Sequence, residues 1–163
     1  MLSLHYNDSK AHQGGILLIY EYALVFLGAA IPWLEIALVI PLGIIRGLSP
    51  FWVMLLAFVG NMATVLPVII GFEKVRQWNL RLNEKKGKSP SKRSERAKKI
   101  WNRYGLPGLA LLGPILIGTH IAAFIGMSLG AEKKWAILWL TISIAVWTLI
   151  FGIATALGFD FFR

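Results

Sequence analysis

The chain contains no cysteine, which excludes disulfides and thiolate metal sites and leaves the redox compartment unmarked. Acidic residues are scarce, with eight Asp and Glu against seventeen Lys and Arg. Histidine occurs three times, and His5 and His12 are too sparse to hold a metal ion. The chain lacks a Walker A loop, a G-x-S-x-G turn, an H-E-x-x-H helix and a dinucleotide fingerprint. The expectation is a protein that is not an enzyme, with no cofactor and no metal. A secretory signal is also missing by pattern. Met1–Gly14 is polar, with His5, Asp8, Lys10 and His12, and the apolar region after it has no small-residue cleavage site.

What the chain does have is apolar sequence. Hydrophobic residues make up 56% and charged ones 15%, and the mean hydropathy is +0.64, values of an integral membrane protein. The net charge of +9 is concentrated in one place. Twelve of the seventeen basic residues lie between Glu73 and Arg103, and the rest of the chain sums to zero. One basic loop between apolar blocks marks a cytoplasmic loop and is compatible with binding anionic lipid, with Lys92, Arg93, Lys98 and Lys99 as its candidate contacts. No aromatic-interleaved platform accompanies the charge, so nucleic acid is not an expected partner.

The apolar blocks are of two kinds. Phe51–Phe72 and Trp135–Phe159 are uncharged spans, each opening on an interfacial tryptophan, Trp52 and Trp135. The other two blocks are broken. Residues 15–47 contain Glu21, Pro32, Glu35 and Pro41, and residues 104–130 contain Pro107, Gly113-Pro114 and Gly118. Two full crossings of a ~30 Å core need about 40 residues, more than either block has. Each fits one tilted crossing or a re-entrant helical hairpin; the hairpin is the expectation that parity favours, with Pro32, Pro41, Gly113, Pro114 and Gly118 as its helix-breaking backbone. Residues 73–103 form the loop between halves. Gly87–Pro90 is its flexible midpoint, and a helix capped by Ser89 or Ser91 places Ala97, Ile100, Trp101 and Tyr104 on one face. That helix is expected on the membrane surface with its aromatics among the headgroups, ending at Gly105 and Pro107.

Parity fixes an expected topology. With the basic loop inside, residues 1–14 lie outside, 51–72 run inward, and Lys133-Lys134 lie inside if 104–130 returns to its own side. An offset of 83 residues then lays Gly43 on Gly126, Gly47 on Gly130, Trp52 on Trp135 and Glu35 on Gly118. Each half reads as broken hairpin, glycine-bounded turn, tryptophan and span, and each makes one net crossing. The fold class expected is an all-α integral membrane protein: two transmembrane helices plus two re-entrant hairpins in an inverted repeat.

Glu35 is the leading site residue, because a carboxylate at membrane depth must be protonated, paired or in a water-filled cavity. The competing reading is a structural hydrogen bond or a shallower position. His120 has two readings, a proton-exchanging ring or a packing residue. Thr119 is expected to cap a half-helix, and Asn61, mid-span, needs an interior partner. Glu35, Thr119, His120 and Asn61 form the candidate substrate and proton site. Glu21 reads as interfacial and Arg46 as an outer-surface anchor, with a lesser prospect of pairing Glu35.

Ile31–Glu35, Ile40–Gly43, Gly47–Pro50, Gly60-Asn61 and Pro67, followed by Tyr104–Gly108, Gly113-Pro114 and Gly118-Thr119, resemble the small multi-drug export protein family over residues 26–72 and 104–155. The family's usual Glu-Leu-Arg-Gly is here Glu35-Ile36-Ala37-Leu38, so Ala37 stands where the family carries arginine, and His120 stands where it carries a small residue. The re-entrant plan is more distantly similar to the DedA membrane proteins. The resemblance implies a multi-pass protein of the cell membrane that exports small compounds. Proton exchange at Glu35 for a small cationic or amphipathic substrate, in a homodimer, is the first functional expectation. The alternative is a non-transporting factor that binds anionic lipids and supports envelope organisation.

Overall fold

The structure is a computed structural model that describes residues 2–32, 34–72, 74, 77 and 92–161. Among the described residues there are helices and no strands, as expected. In chain order they are α1 (Leu2–Ala30), α2 (Glu35–Ile45), α3 (Pro50–Ile70), α4 (Lys92–Leu116), α5 (Thr119–Ser128) and α6 (Lys133–Phe161).

The helices α3 and α6 are long and apolar enough to cross a bilayer, over Pro50–Ile70 and Lys133–Gly158, and only 33% of each apolar window is buried within the protein. A soluble core helix would bury most of such a window, so the outward apolar surface is what lipid would cover. Pro50 occupies the first turn of α3, where its missing N–H breaks no bond. The two long helices run antiparallel. Met54 packs on Gly152, Thr141 meets Met62 further along, and Lys133 Nζ donates to Ile70 O at 3.3 Å. The start of α6 and the end of α3 therefore share one end of the bundle.

Two short helices lie between them. α2 has 11 residues and α5 has 10, about 15 Å each, half of a ~30 Å hydrocarbon core. Each pairs antiparallel with the helix before it. Gly28 lies against Val39, and Gly43 against Val25, across α1 and α2. Gly113 lies against Ala122, and Gly126 against Leu106, across α4 and α5. α1 also crosses α3 at Gly60, where any Cβ would overlap the carbonyl oxygen of Phe26. The neighbour pattern is the same in both halves: α1 packs on α3 as α4 packs on α6, and α2 packs on α6 as α5 packs on α3.

Local backbone features recur at the 83-residue offset. Gly47 and Gly130 have φ of 88° and 99°, and Glu35 and Gly118 have 44° and 96°. Leu48 N–H donates to Gly43 O as Ala131 N–H does to Gly126 O, and Val53 to Ser49 as Ala136 to Glu132.

The prolines depart from expectation. Pro41 lies inside α2 and Pro114 inside α4, and neither ends its helix. Proline removes one N–H, and the carbonyl it strands needs another donor. For Pro114 that carbonyl is Ala110 O, which accepts from Ser143 Oγ at 2.6 Å. The breaks fall instead at the turn holding Ile31, Pro32 and Leu34, at Gly105 inside α4 (φ 64°, ψ −157°) and at Gly118. Gly113 serves as a close-packing position, not a break. The helix expected to end at Gly105 does break there, and a second helical stretch, with Pro107 in its first turn, follows the kink as far as Leu116. Before the kink, Ile100 and Trp101 are partly buried and pack against the hydrophobic core, whereas Tyr104 is exposed. The expected midpoint Gly87–Pro90 and the caps Ser89 and Ser91 lie outside the described residues.

Candidate functional site: a carboxylate between two helix starts

Polar side chains buried among the described residues are few: Glu35, Asn61, Thr119, His120, Ser143 and Thr148. Three of them converge. Glu35 is the first residue of α2 and Thr119 the first of α5, so two helix N-termini, each carrying partial positive charge, meet at one locus. The Glu35 carboxylate occupies it. Thr119 N–H donates to Oε1 and to Oε2, both at 2.9 Å, and Thr119 Oγ1 donates to Oε2 at 2.7 Å. His120 Nδ1 lies 3.3 Å from Oε1.

The backbone is bent to permit this. Glu35 has φ of 44°, the only positive φ of a non-glycine among the described residues, at a cost of about 1–3 kcal/mol that the surrounding structure must offset. Gly118 has φ of 96°, and a Cβ there would sit 2.9 Å from Glu35 Oε1. Gly118 is the N-cap of α5, and no side chain of its own half caps that helix. The expectation that Thr119 would be the cap is thus corrected. The cap is Glu35, supplied from the other half of the chain.

The network continues away from Glu35. His120 Nε2 lies 2.8 Å from Thr64 Oγ1 on α3, and Thr64 Oγ1 donates to Asn61 O at 3.0 Å. Asn61 is fully buried, as expected, but its side-chain amide has no hydrogen-bond partner among the described residues. Its link to the site is the backbone carbonyl. Thr64 is the residue that sequence reasoning missed. The available signal was its position three residues past Asn61, on the same helical face of an uncharged span.

On its other side Glu35 borders a cavity of about 260 Å³, lined also by Pro32, Ala37, Leu38, Ile117 and Gly118. Pro41 has no N–H, so the Ala37 carbonyl, in the first turn of α2, lacks its helical donor. Arg46 is exposed at the far end of α2, where it borders a separate groove with Glu21, and it does not pair with Glu35. Lys99 is exposed on α4, as are Arg96 and Arg103. The side chains of Lys92, Arg93 and Lys98 lie outside the described residues.

The arrangement defines a helical membrane protein with one ionisable pair locked between two half-length helices. A family model described as “Putative small multi-drug export protein” matches residues 35–150, and the chain belongs to that family. The match begins at Glu35 and takes in Thr64, Thr119 and His120. No curated protein and no solved structure matches the chain, and the likeness to DedA proteins has no counterpart there.

Proposed function

We propose that this protein is a secondary exporter that exchanges a proton for a small cationic or amphipathic compound at Glu35. The observation that carries the reading is that the same carboxylate is buried, held by the start of α5, and bordered by a cavity. Discontinuous helices meeting at mid-depth are where secondary transporters place substrate and coupling ion. The cavity offers a cation the Glu35 carboxylate, within walls that mix polar and apolar surface and so suit an amphipathic body. The wall is small at Ala37, which leaves the space beside the carboxylate.

In this reading each broken segment is re-entrant, the halves form an inverted repeat, and the basic loop faces the cytoplasm. Support comes from the half-membrane lengths of α2 and α5, the antiparallel pairing of α3 with α6, and Lys133 meeting Ile70. A pair of copies in the membrane would enclose a path that two spans and two hairpins scarcely can.

The test is substrate-driven proton flux in proteoliposomes under an imposed pH gradient. Glu35→Gln keeps a hydrogen-bonding side chain of the same size and loses the titratable group. The variant is expected to stay folded and lose flux by at least tenfold, and wild-type flux in it would refute the carrier role. A second reading, anionic-lipid binding without transport, is favoured by the exposed Arg96, Lys99 and Arg103 beside Tyr104 on α4. Under it, neutralising Lys92, Arg93, Lys98 and Lys99 abolishes binding to anionic vesicles and Glu35→Gln changes nothing.

A further inference from the structure

A threonine hydroxyl has one hydrogen to give. Thr64 Oγ1 reaches two pure acceptors, Asn61 O at 3.0 Å and Gly60 O at 3.5 Å, and His120 Nε2 at 2.8 Å. In the state in which its hydrogen goes to Asn61 O, the ring nitrogen is the donor. With Nε2 protonated, the 3.3 Å contact of Nδ1 with Glu35 Oε1 requires one more proton on either atom. The pair is an imidazolium facing a carboxylate, or a neutral ring facing a carboxyl. Both forms hold two protons over Nε2, Nδ1 and Oε1, and both are neutral in sum.

Removing one proton leaves a pair of charge −1. A bare Nδ1 facing a carboxylate would be repulsive, so Nδ1 keeps its hydrogen and donates to Oε1. Nε2 is then the bare nitrogen and needs a donor. Thr64 can supply it by turning its hydroxyl hydrogen from Asn61 O to Nε2. We propose that Glu35 and His120 bind and release one proton as a unit, that this proton enters and leaves at His120 Nε2, and that Thr64 is the positioning residue whose hydroxyl serves both states.

No second ionisable group intervenes. Among the described residues Glu35 and His120 are the only buried ionisable side chains. α3 presents Thr64 and Asn61, α6 contributes Ser143 and Thr148 as its buried polar groups, and the residues of α4 beside the cavity are Pro114, Ile115 and Leu116. The proton face of the site, toward α3, is thus separate from the cavity face. For its use in transport the inference rests on the exporter reading: a pair that moves between 0 and −1 is matched by a monovalent cation, one per proton.

The test uses the full chain in lipid nanodiscs, in a His5→Gln, His12→Gln background that leaves His120 as the one histidine. With ¹⁵N-labelled histidine, Nε2 is expected to pass from protonated to bare as pH rises, over the same range in which the Glu35 carboxyl infrared band changes. In Thr64→Val, Nε2 has neither acceptor nor donor. It is expected to stay bare throughout, with the proton held on Glu35 and directed to Thr119 Oγ1. Thr64→Ser is expected to restore the wild-type signal. The proposal is overturned if wild-type Nε2 keeps one state while Glu35 titrates, or if Nε2 of Thr64→Val takes up its proton as the wild type does. The nanodisc titration with no proteoliposome flux would sink the exporter reading alone. Flux with an unchanging Nε2 would sink the pair alone.

Discussion

At the scale of single residues, the site is held by positions where one atom more cannot be accommodated. Gly118 is the sharpest case. It combines φ of 96° with a would-be Cβ only 2.9 Å from Glu35 Oε1. An L side chain in the left-handed region costs about 1–2 kcal/mol, and the carboxylate would also have to leave Thr119 N–H. Gly118→Ala is expected to lower unfolding stability in detergent by at least that amount and to remove proton flux. Unchanged stability would mean that the bent backbone is not required. Glu35 accepts the same kind of backbone angle without being glycine, because its carboxylate takes both hydrogens that Thr119 offers, the N–H shared between Oε1 and Oε2 and the hydroxyl on Oε2. A hydrogen bond to a charged group contributes about 1.5–3 kcal/mol, so two of them are enough to hold the strained conformation.

Elements in this protein approach closely where glycine lets them, as helices in lipid do when small residues replace the missing hydrophobic drive. Gly60 is the contact of α1 with α3, its Cβ position taken by Phe26 O, whereas Gly15 on α1 has nothing within 4 Å. The same substitution should therefore have opposite signs. Gly60→Ala forces α1 away from α3 and is expected to destabilise by about 1–3 kcal/mol. Gly15→Ala should be neutral or stabilising by up to ~1 kcal/mol through helix propensity. Equal effects in a chemical unfolding series would show that α1 does not pack on α3 at Gly60. The prolines also act at the scale of the element. Pro41 and Pro114 look like breaks in a sequence, yet whether a proline ends a helix depends on whether a remote donor such as Ser143 reaches the stranded carbonyl.

For the whole molecule, the re-entrant reading predicts how the two helix pairs stand relative to a bilayer. The cysteine-free chain is suited to accessibility mapping. Asn102 and Ser128 are both exposed, and they flank α4 beyond its bend, with α5. If that pair is re-entrant, Asn102→Cys and Ser128→Cys react with a membrane-impermeant thiol reagent from the same, cytoplasmic side. Labelling from opposite sides would instead make the segment a full crossing and remove the inverted repeat. Trp52 and Trp135, at the starts of antiparallel helices, lie toward opposite ends of the bundle.

The sequence by itself determined the two spans, the broken segments, the concentration of basic charge and the suspicion that falls on Glu35 and His120. These follow from composition and local pattern, because an apolar run of sufficient length and an ionisable group within it have few physical readings in a membrane. Tertiary structure alone decided who partners whom. Glu35 caps a helix 84 residues away, His120 stands 56 residues from Thr64, and Asn61 joins through its carbonyl, with no hydrogen bond from its amide. Such pairings depend on how two half-helices dock, and docking is set by distant small residues and donated hydrogen bonds that leave no period in the chain. Thr64 looks like any threonine in a span until α5 is laid beside it.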